Sequence, residues 1–472
     1  MKAWSSEKIS VLALVLLITG AIDSIRNLPA TALFGSSLIF FFIFSAIVFL
    51  IPVALVSAEL SSTWSEEEGG VYSWVRHAFG ENMAFFTIWL QWINTIVWYP
   101  TILSFIAGTL AYLINPELAQ NKYYLIGIIL VVFWSLTWLG LSGLRASAAF
   151  ASFCAIAGMI IPMGFIILLA LIWVLKGNPI AIDFNFNSLI PHWHDTQSWV
   201  SLTAIMTSFL GMELAAVHVR NVKNPQRNFP RAMGFSVLLI LTTMILGSLA
   251  IAFVLPHEKI SLVYGVMQAF TNFFAAYHLE PLMPVMVILL LLGSLGGMVN
   301  WIISPAKGLL LAADNGFLPH WLYRLNRHGI ASRILFLQAI LVTLLCSGFL
   351  LFESVNAIYW LFTALSTEMY MLMYVMMFIA AIRLKSKFAA LPRPFAIPGG
   401  RYGYYFTCLL GLAGCGITLV VGFFPPESSM DVGGSSHFRL VFCSGIVLTL
   451  IPAFLPYLRK SLMQRRLKGN LK

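Results

Sequence analysis

The sequence predicts an all-α integral membrane protein with twelve transmembrane helices. Of its 472 residues, 60% are hydrophobic and only 10% are charged, whereas about a quarter of an ordinary soluble domain is charged. Apolar runs of roughly 20 residues, the length that crosses about 30 Å of hydrocarbon, recur along the whole chain. Because no soluble domain fits between them, residues 1–472 are predicted to form a single polytopic domain.

The predicted spans follow from these apolar runs taken in order. The first run follows Lys2 and Lys8 and continues into a second apolar stretch without a small-residue cleavage site, so we expect it to be retained as a span. The spans are expected at 9–34, 37–62, 83–113, 123–142, 149–176, 198–219, 232–256, 281–312, 334–352, 355–382, 403–424 and 438–458.

Charge asymmetry predicts the orientation of these spans. Counting loops from an inside start, one side carries most of the Lys and Arg residues, while the other carries Lys122, Lys176, Lys259 and Arg439. Basic loops stay cytoplasmic, so both termini are expected on the cytoplasmic side of the cell inner membrane. The net charge of +10 is explained by this topology and by contact with anionic lipid, and not by nucleic-acid binding.

Four ionisable residues lie inside the predicted spans, where a charge costs several kcal/mol and needs a partner or a task. They are Asp23, Arg26, Glu213 and Glu368. Their sum is one positive and three negative groups, which favours cations or protonated carboxyls over anions. Glu368 has no basic neighbour in sequence, so Arg26 is its candidate partner.

The first span is predicted to be broken near its middle, where Gly, two charged residues, Asn and Pro interrupt an apolar run. A broken helix frees carbonyls on one side and N–H groups on the other, which can hold the ammonium and the carboxylate of an amino acid. Alternatively, Asp23 and Arg26 neutralise each other from one helix face, and the two interpretations can coexist. The expected substrate contacts here are Gly20, Ala21, Ile22, Asp23, Ser24 and Arg26.

The sixth span contains Gly211 followed two residues later by Glu213, which suggests a second discontinuous helix. Interruptions five spans apart are what a five-helix repeat inverted about the membrane plane produces, so a binding site is expected between them. Glu213 could attract a cationic group, carry a coupled proton, or make a structural hydrogen bond. His218 is a candidate proton relay, with a hydrogen-bonded interhelical histidine as the alternative.

Aromatic walls for the aliphatic part of a substrate are sought among Phe209, Trp301 and Tyr370, with ordinary helix packing as the alternative. The five cysteines are scattered singly, which predicts buried thiols and no metal site. His192, His194 and Asp195 lie together in one loop, where a solvated polar loop is favoured over a metal site. No cofactor is expected.

Several motifs carry a family resemblance over essentially the whole chain. The chain resembles the amino acid, polyamine and organocation transporter superfamily, most closely its bacterial glutamate/gamma-aminobutyrate antiporter branch. The motifs are Glu67-Glu68-Gly69-Gly70-Val71-Tyr72-Ser73-Trp74-Val75, Gly211-Met212-Glu213, Asn224-Pro225-Gln226-Arg227-Asn228-Phe229-Pro230-Arg231-Ala232, Gly265-Val266-Met267-Gln268, Trp301-Ile302-Ile303-Ser304-Pro305 and Phe395-Ala396-Ile397-Pro398-Gly399-Gly400.

The resemblance implies a LeuT-like five-plus-five fold that works by alternating access, with substrate between spans one and six. Its first inverted repeat would cover about 9–176, its second about 198–382, and two accessory helices about 403–458. Glu213 occupies the functional glutamate position of the family. Residues 262–277 would form an outer gate helix.

Three departures from the glutamate exchangers stand out. No C-terminal plug is expected, because only a short basic stretch follows the last span. Gly296-Gly297 stands where those exchangers are expected to carry a carboxylate, which argues against glutamate specificity. Asp23 with Arg26, and the additional acid Glu368, indicate a retuned pocket.

The sequence therefore predicts a secondary carrier and not an enzyme. The leading hypothesis is exchange of one amino acid for another or for its amine, with proton-coupled symport of amino acids or cationic amines as the alternative. A membrane enzyme or receptor is least favoured, and no Gly-x-x-x-x-Gly-Lys-Ser/Thr nucleotide loop is present. The expected partners are a small amino acid or amine and the lipid bilayer, with a homo-oligomer as an open possibility.

Overall fold

The computed structural model describes residues 10–65, 70–143, 153–154, 156–191, 196–214, 222–313, 316–352, 354–425 and 435–469. Within these ranges the named secondary-structure elements are all helices, and an isolated bridge joins Leu325 and Ala331. Eleven helical segments are long and apolar enough to cross a membrane, and the shorter apolar segment Trp199–Leu214 stands where the sixth span was predicted. The chain is thus built as a multi-pass membrane protein.

The first half of the described chain runs from the first span to the outer loop near residue 190. Two π-helical turns, Ala46–Leu50 and Ile156–Ile160, and three 3-10 turns, Ile25–Asn27, Gly35–Ser37 and Pro116–Gln120, interrupt it. Its α-helices are α1 Val11–Ile22, α2 Leu28–Ala32, α3 Leu38–Ser45, α4 Ile51–Thr63, α5 Val71–Phe79, α6 Glu81–Ile114, α7 Lys122–Leu141, α8 Ile161–Leu175 and α9 Phe186–Leu189.

The second half repeats this pattern of long helices joined by short turns. Its 3-10 turns are His257–Lys259, Glu280–Leu282 and His320–Tyr323. Its α-helices are α10 Thr196–Ser208, α11 Pro225–Val254, α12 Gly265–Tyr277, α13 Met283–Ala313, α14 Ser332–Cys346, α15 Gly348–Leu351, α16 Val355–Lys387, α17 Gly400–Val421 and α18 Ser435–Gly469.

Local sequence accounts for where several helices begin. The Asn121 side chain accepts hydrogen bonds from the N–H groups of Tyr123 and Tyr124 at the start of α7, and Ser354 accepts one from Ala357 at the start of α16. Such caps satisfy amides that have no partner within the helix. Helix α11 begins at Pro225 and not near residue 232, because proline fits the first helical position.

The centre of the molecule is the pair α6 and α16, whose large side chains are buried. Trp92 and Tyr99 on α6 and Trp360 on α16 are 1% exposed or less. The Asn94 amide donates to the Ser366 carbonyl at 2.6 Å and joins the two helices directly. Helix α13 also packs against α6, where the Tyr99 hydroxyl donates to the Trp301 carbonyl at 2.8 Å. Helix α10 contacts α16 of this pair through Thr207, and Arg26, just after α1, contacts α6 through Thr101.

A second fixed point is the Glu59 cluster, formed by Glu59, Lys385, Arg393 and the backbone N–H of Ile397. Glu59 of α4 is fully buried, and its Oε1 lies 2.8 Å from Lys385 Nζ and 2.7 Å from Arg393 Nη1. The Ile397 N–H donates to Oε2 at 2.8 Å. The cluster therefore ties α4 to the end of α16 and to the loop before α17.

Candidate functional site

The first span is broken after α1. The helix ends at Ile22, and Asp23 and Ser24 take extended backbone conformations before the 3-10 turn at Ile25–Asn27. The Asp23 N–H still bonds to the Thr19 carbonyl at 2.7 Å, so the ladder ends at that residue. Extended backbone at this point frees the neighbouring carbonyl and amide groups, which is how discontinuous helices form ligand sites.

A second break follows α10. The helix ends at Ser208, and the chain turns through Gly211, whose φ of 106° is a conformation that residues with a side chain rarely adopt. A short helical turn then carries Glu213, and residues 215–221 lie outside the described residues. His218, the candidate proton relay, lies outside the described residues.

The two breaks face each other. A Cβ placed on Gly211 would lie 3.8 Å from Ile22 Cγ1, the last residue of α1. Gly20, two residues earlier in α1, is partly exposed, as is Ser24. The structure therefore brings the end of α1 at Ile22 next to Gly211.

Glu213 is hydrogen-bonded to two tyrosines of α16. The Tyr370 hydroxyl donates to Oε1 at 2.6 Å, and the Tyr374 hydroxyl donates to Oε2. The Gly211 N–H donates to the same Tyr374 hydroxyl at 2.9 Å. Glu213 is 2% exposed. Tyr374 thus bonds to both Gly211 and Glu213, and the two tyrosines fix the position of the Glu213 carboxyl group against α16.

The sequence analysis did not identify Tyr374, and it considered Tyr370 only as an aromatic wall, whereas its hydroxyl bonds to Glu213. The spacing of the two tyrosines could have revealed both, because residues four apart on a helix lie one above the other on one face. The Gln91 amide of α6 approaches the Tyr370 hydroxyl at 3.5 Å. The site therefore includes a polar wall on α16.

The partners of Glu213 among the described residues are neutral hydroxyl groups. No ion pair within this part of the chain involves Glu213. A buried carboxyl held by two phenols has its hydrogen bonds satisfied without a fixed counter-charge. It can therefore accept a proton or the ammonium group of a ligand.

Asp23 points toward α11 and not toward Arg26. The Thr243 hydroxyl lies 2.7 Å from Asp23 Oδ2, while the buried Oδ1 has no hydrogen-bond partner. Asp23 is 4% exposed. Its free oxygen leaves room for one donor at the break of the first span.

Arg26 is held by α6. Its guanidinium carbon lies 4.6 Å from the centre of the Trp98 ring, and its Nη1 lies 3.4 Å from Thr101 Oγ1. The Arg26 Nε has no hydrogen-bond partner. Trp301, a predicted substrate contact, packs against Trp98 with ring centres 5.5 Å apart and the ring planes tilted by 42°. The aromatic contact partly compensates the buried charge.

Two ion pairs that the sequence suggested do not form among the described residues. Neither Asp23 with Arg26 nor Arg26 with Glu368 is within ion-pair distance among the described residues. The extended segment after Ile22 changes the direction of the chain between Asp23 and Arg26, so their spacing no longer places them on one helix face. Each of the two side chains instead bonds to a different helix.

Glu368 lies outside this site. It follows Thr367 on α16 and points to the opposite face from Tyr370, because two residues on a helix are 200° apart. Its Oε1 contacts Gly422, just after α17, and has no hydrogen-bond partner. Glu368 therefore belongs to the contact between α16 and the end of α17.

The remaining predicted residues line the closed interior. Phe209 is fully buried, and its ring meets Phe42 of α3 edge-on at 5.6 Å. The Thr207 and Thr367 hydroxyls lie 2.5 Å apart and join α10 to α16. With Asp23, Arg26 and Glu213 all below a tenth exposed, this conformation closes the site to solvent. His192, His194 and Asp195 lie outside the described residues.

Comparison with known proteins agrees with this geometry. The sequence profile of amino acid permeases matches residues 9–450. An uncharacterised transporter of Legionella pneumophila is 40% identical over 454 residues, which are 96% of this chain and 97% of the relative. A glutamate/gamma-aminobutyrate antiporter of Lactococcus lactis is 29% identical over 96% of this chain and 91% of its own length. A probable agmatine/putrescine antiporter of Lactococcus lactis is 23% identical over 83% of both chains.

These matches confirm the resemblance seen in the motifs and place the chain among transporters and not enzymes. The match extends across both breaks and the tyrosines of α16. The chain belongs to the amino acid permease family.

Proposed function

We propose that this protein exchanges amino acids, or an amino acid for its amine, across the membrane by alternating access. The observation that carries the proposal is the meeting of two helix breaks around Glu213, a buried carboxyl with only neutral donors among the described residues. Such a site offers carbonyls and a carboxylate to an ammonium group and N–H groups to a carboxylate. The named antiporters among its relatives support exchange.

The substrate class follows from unfilled hydrogen-bonding positions. Asp23 Oδ1 and Arg26 Nε are both buried without partners, and one accepts while the other donates. A zwitterion brings an ammonium and a carboxylate, so it can satisfy both kinds of group at once. We therefore expect a substrate carrying an amine, with any carboxylate directed toward Arg26.

The architecture that we propose has twelve spans, both termini inside and two inverted repeats, about 9–176 and 198–382. The eleven spanning segments and the short helix at Trp199–Leu214 support the count. The breaks after Ile22 and Ser208 fall in the first and sixth spans, as the repeat requires. The accessory helices about 403–458 then pack on α16 from outside.

Proton-coupled symport is the second candidate, and Glu368 is the observation that favours it. A buried carboxyl with an unpartnered oxygen beside Gly422 is a possible proton site outside the substrate position. Glu213 is the other candidate carrier, and His218 the proposed relay. A symporter would move substrate without any exchange partner.

Transport in sealed vesicles separates the two. The purified protein would be reconstituted in liposomes preloaded with glutamate or left empty, and uptake of labelled glutamate, gamma-aminobutyrate, glutamine, arginine and putrescine would be followed at pH 5.5 and 7.5. Uptake only into preloaded vesicles establishes exchange. Uptake into empty vesicles that depends on a pH gradient establishes symport. No uptake of any of these compounds would contradict the proposed substrate class.

A further inference from the structure

An apolar groove opens between α4 and α11, away from the site around Glu213. It encloses about 260 Å³. Every side chain that lines it is apolar. The lining residues are Ile51, Ala54, Leu55 and Ala58 of α4, Pro230, Met233, Gly234 and Val237 of α11, and Phe395 of the loop before α17.

The loop end of the groove is held in place by the Glu59 cluster. Phe395 stands between Arg393 and Ile397, and both of these bond to Glu59. On the α4 side, Ala58 directly precedes Glu59. Because the carboxylate is buried and binds both walls, Phe395 is positioned at the end of the groove by the fold itself.

Basic side chains stand at this end of the groove. Lys223, Arg227 and Arg231 are exposed at the start of α11, and none of them has an ion-pair partner among the described residues. Arg227 lies three residues before Pro230, and Arg231 three before Gly234, so each lies one helical turn from a lining residue. By contrast, the two cations of the Glu59 cluster are already paired with its carboxylate.

We propose that the groove is a binding site for an anionic phospholipid. The groove lies between two spanning helices, so the surrounding hydrocarbon supplies an acyl chain to its apolar lining. The headgroup phosphate then lies at the level of Arg227 and Arg231, where each cation near the membrane surface attracts an anionic lipid. Neutral lipid offers the same chain without the charge, so the arginines select for the anionic headgroup.

The site has a mechanical connection to transport. Helix α11 begins at Pro225, soon after the break at Gly211, and it also carries Thr243, which binds Asp23. A lipid seated against α4 and α11 stabilises the packing of α11, which binds Asp23 at the first break. Loss of the bound lipid is therefore expected to slow transport.

Lipid retention tests the proposal without any transport measurement. Protein purified in mild detergent would be incubated with phosphatidylglycerol or phosphatidylcholine of the same chains, and bound lipid counted by native mass spectrometry. The variants are Arg227→Gln with Arg231→Gln, which removes the charge, and Gly234→Leu, which fills the groove where a Cβ meets nothing within 4 Å. The matched controls are Arg324→Gln with Arg327→Gln, and Gly164→Leu at an equally open glycine.

We expect one phosphatidylglycerol to be retained in preference to phosphatidylcholine. The double arginine variant should bind it about thirtyfold more weakly, at about 1 kcal/mol for each cation, and Gly234→Leu should lose it while both controls keep it. Equal retention of the two lipids would overturn the proposal, as would unchanged retention by both groove variants. A second copy of this chain bound in place of lipid, with the dimer lost on Gly234→Leu, would also overturn it.

Discussion

Two buried carboxylates of this protein are stabilised in opposite ways. Glu59 lies between two cations and a backbone N–H, whereas Glu213 lies between two phenol hydroxyls. Both are 2% exposed or less, so burial does not distinguish them. Their partners distinguish them. The two fixed cations hold the charge of Glu59 in place, whereas the neutral phenol donors leave Glu213 able to exchange one of them for a proton or a ligand.

The two carboxylates also differ in what they join. Glu59 connects α4 to the end of α16 and to the loop that follows it, 326 to 338 residues later in the chain, through strong charged contacts. Glu213 lies within the short turn after α10, on a segment that is hydrogen-bonded to two tyrosines of α16. We infer that the first serves the framework and the second serves the moving part of the transport cycle.

Replacing Glu59 is expected to have the largest effect. Glu59→Gln leaves Lys385 and Arg393 without a counter-charge in a buried setting, which costs about 3–5 kcal/mol when one member of a buried pair is removed. The variant should show a lower yield of monodisperse protein and a lower melting temperature in detergent. The exposed Glu280→Gln is the control. A Glu59→Gln variant as stable as wild type would show that the cluster is not structural.

Exchanging the charges of Asp23 and Arg26 should abolish transport. If the two residues formed a simple neutralising pair, the swap would restore what each single variant loses. The structure instead places Asp23 on Thr243 and Arg26 under Trp98, so the swap puts each charge against the wrong helix. Vesicle uptake measures the result, with size-exclusion profiles reporting folding. Recovery of activity in the double variant would return the ion-pair interpretation.

Replacing Glu213 should stop transport while leaving the fold intact. Glu213→Gln keeps a hydrogen-bonding group near Tyr370 and Tyr374 but removes the site for a proton or a cationic group. We expect uptake to fall to the level of liposomes without protein, or to lose its dependence on pH. The melting temperature should not change. A variant whose uptake matches that of wild type at both pH 5.5 and pH 7.5 would remove Glu213 from the mechanism.

The two tyrosines should differ in a measurable way. Tyr374→Phe removes both a donor to Glu213 and the acceptor of the Gly211 N–H at 2.9 Å, whereas Tyr370→Phe removes a donor to Glu213 and the acceptor of a longer contact, 3.5 Å, from the Gln91 amide. An unsatisfied buried polar group costs about 1–3 kcal/mol. We therefore expect KM for uptake to rise about tenfold or more in Tyr374→Phe and less in Tyr370→Phe. The reverse order would mean that the Gly211 contact does not hold the break.

The fold was more accessible from the sequence than the contacts of the site. Hydropathy located the spans within a few residues, for example 83–113 against Glu81–Ile114, because the thickness of hydrocarbon fixes helix length. The glycines and charges in the first and sixth spans pointed to Asp23 and Gly211. Partners of buried charges depend on which helix face meets which neighbour, and the break after Ile22 removed the helical spacing used to pair Asp23 with Arg26.

Glu368 is expected to give the smallest effect under exchange. It is buried like Glu213 but contacts Gly422 and has an oxygen without a partner, so Glu368→Gln removes no ion pair and no hydrogen bond seen among the described residues. If the protein exchanges substrates, uptake into preloaded vesicles should stay within about twofold of wild type, since the amide has nearly the same size as the carboxyl and its introduction uses none of the large destabilising mechanisms. A loss of uptake driven by a pH gradient in the same variant would instead make Glu368 a proton carrier. That outcome would favour symport over exchange and would move part of the mechanism to the contact between α16 and α17.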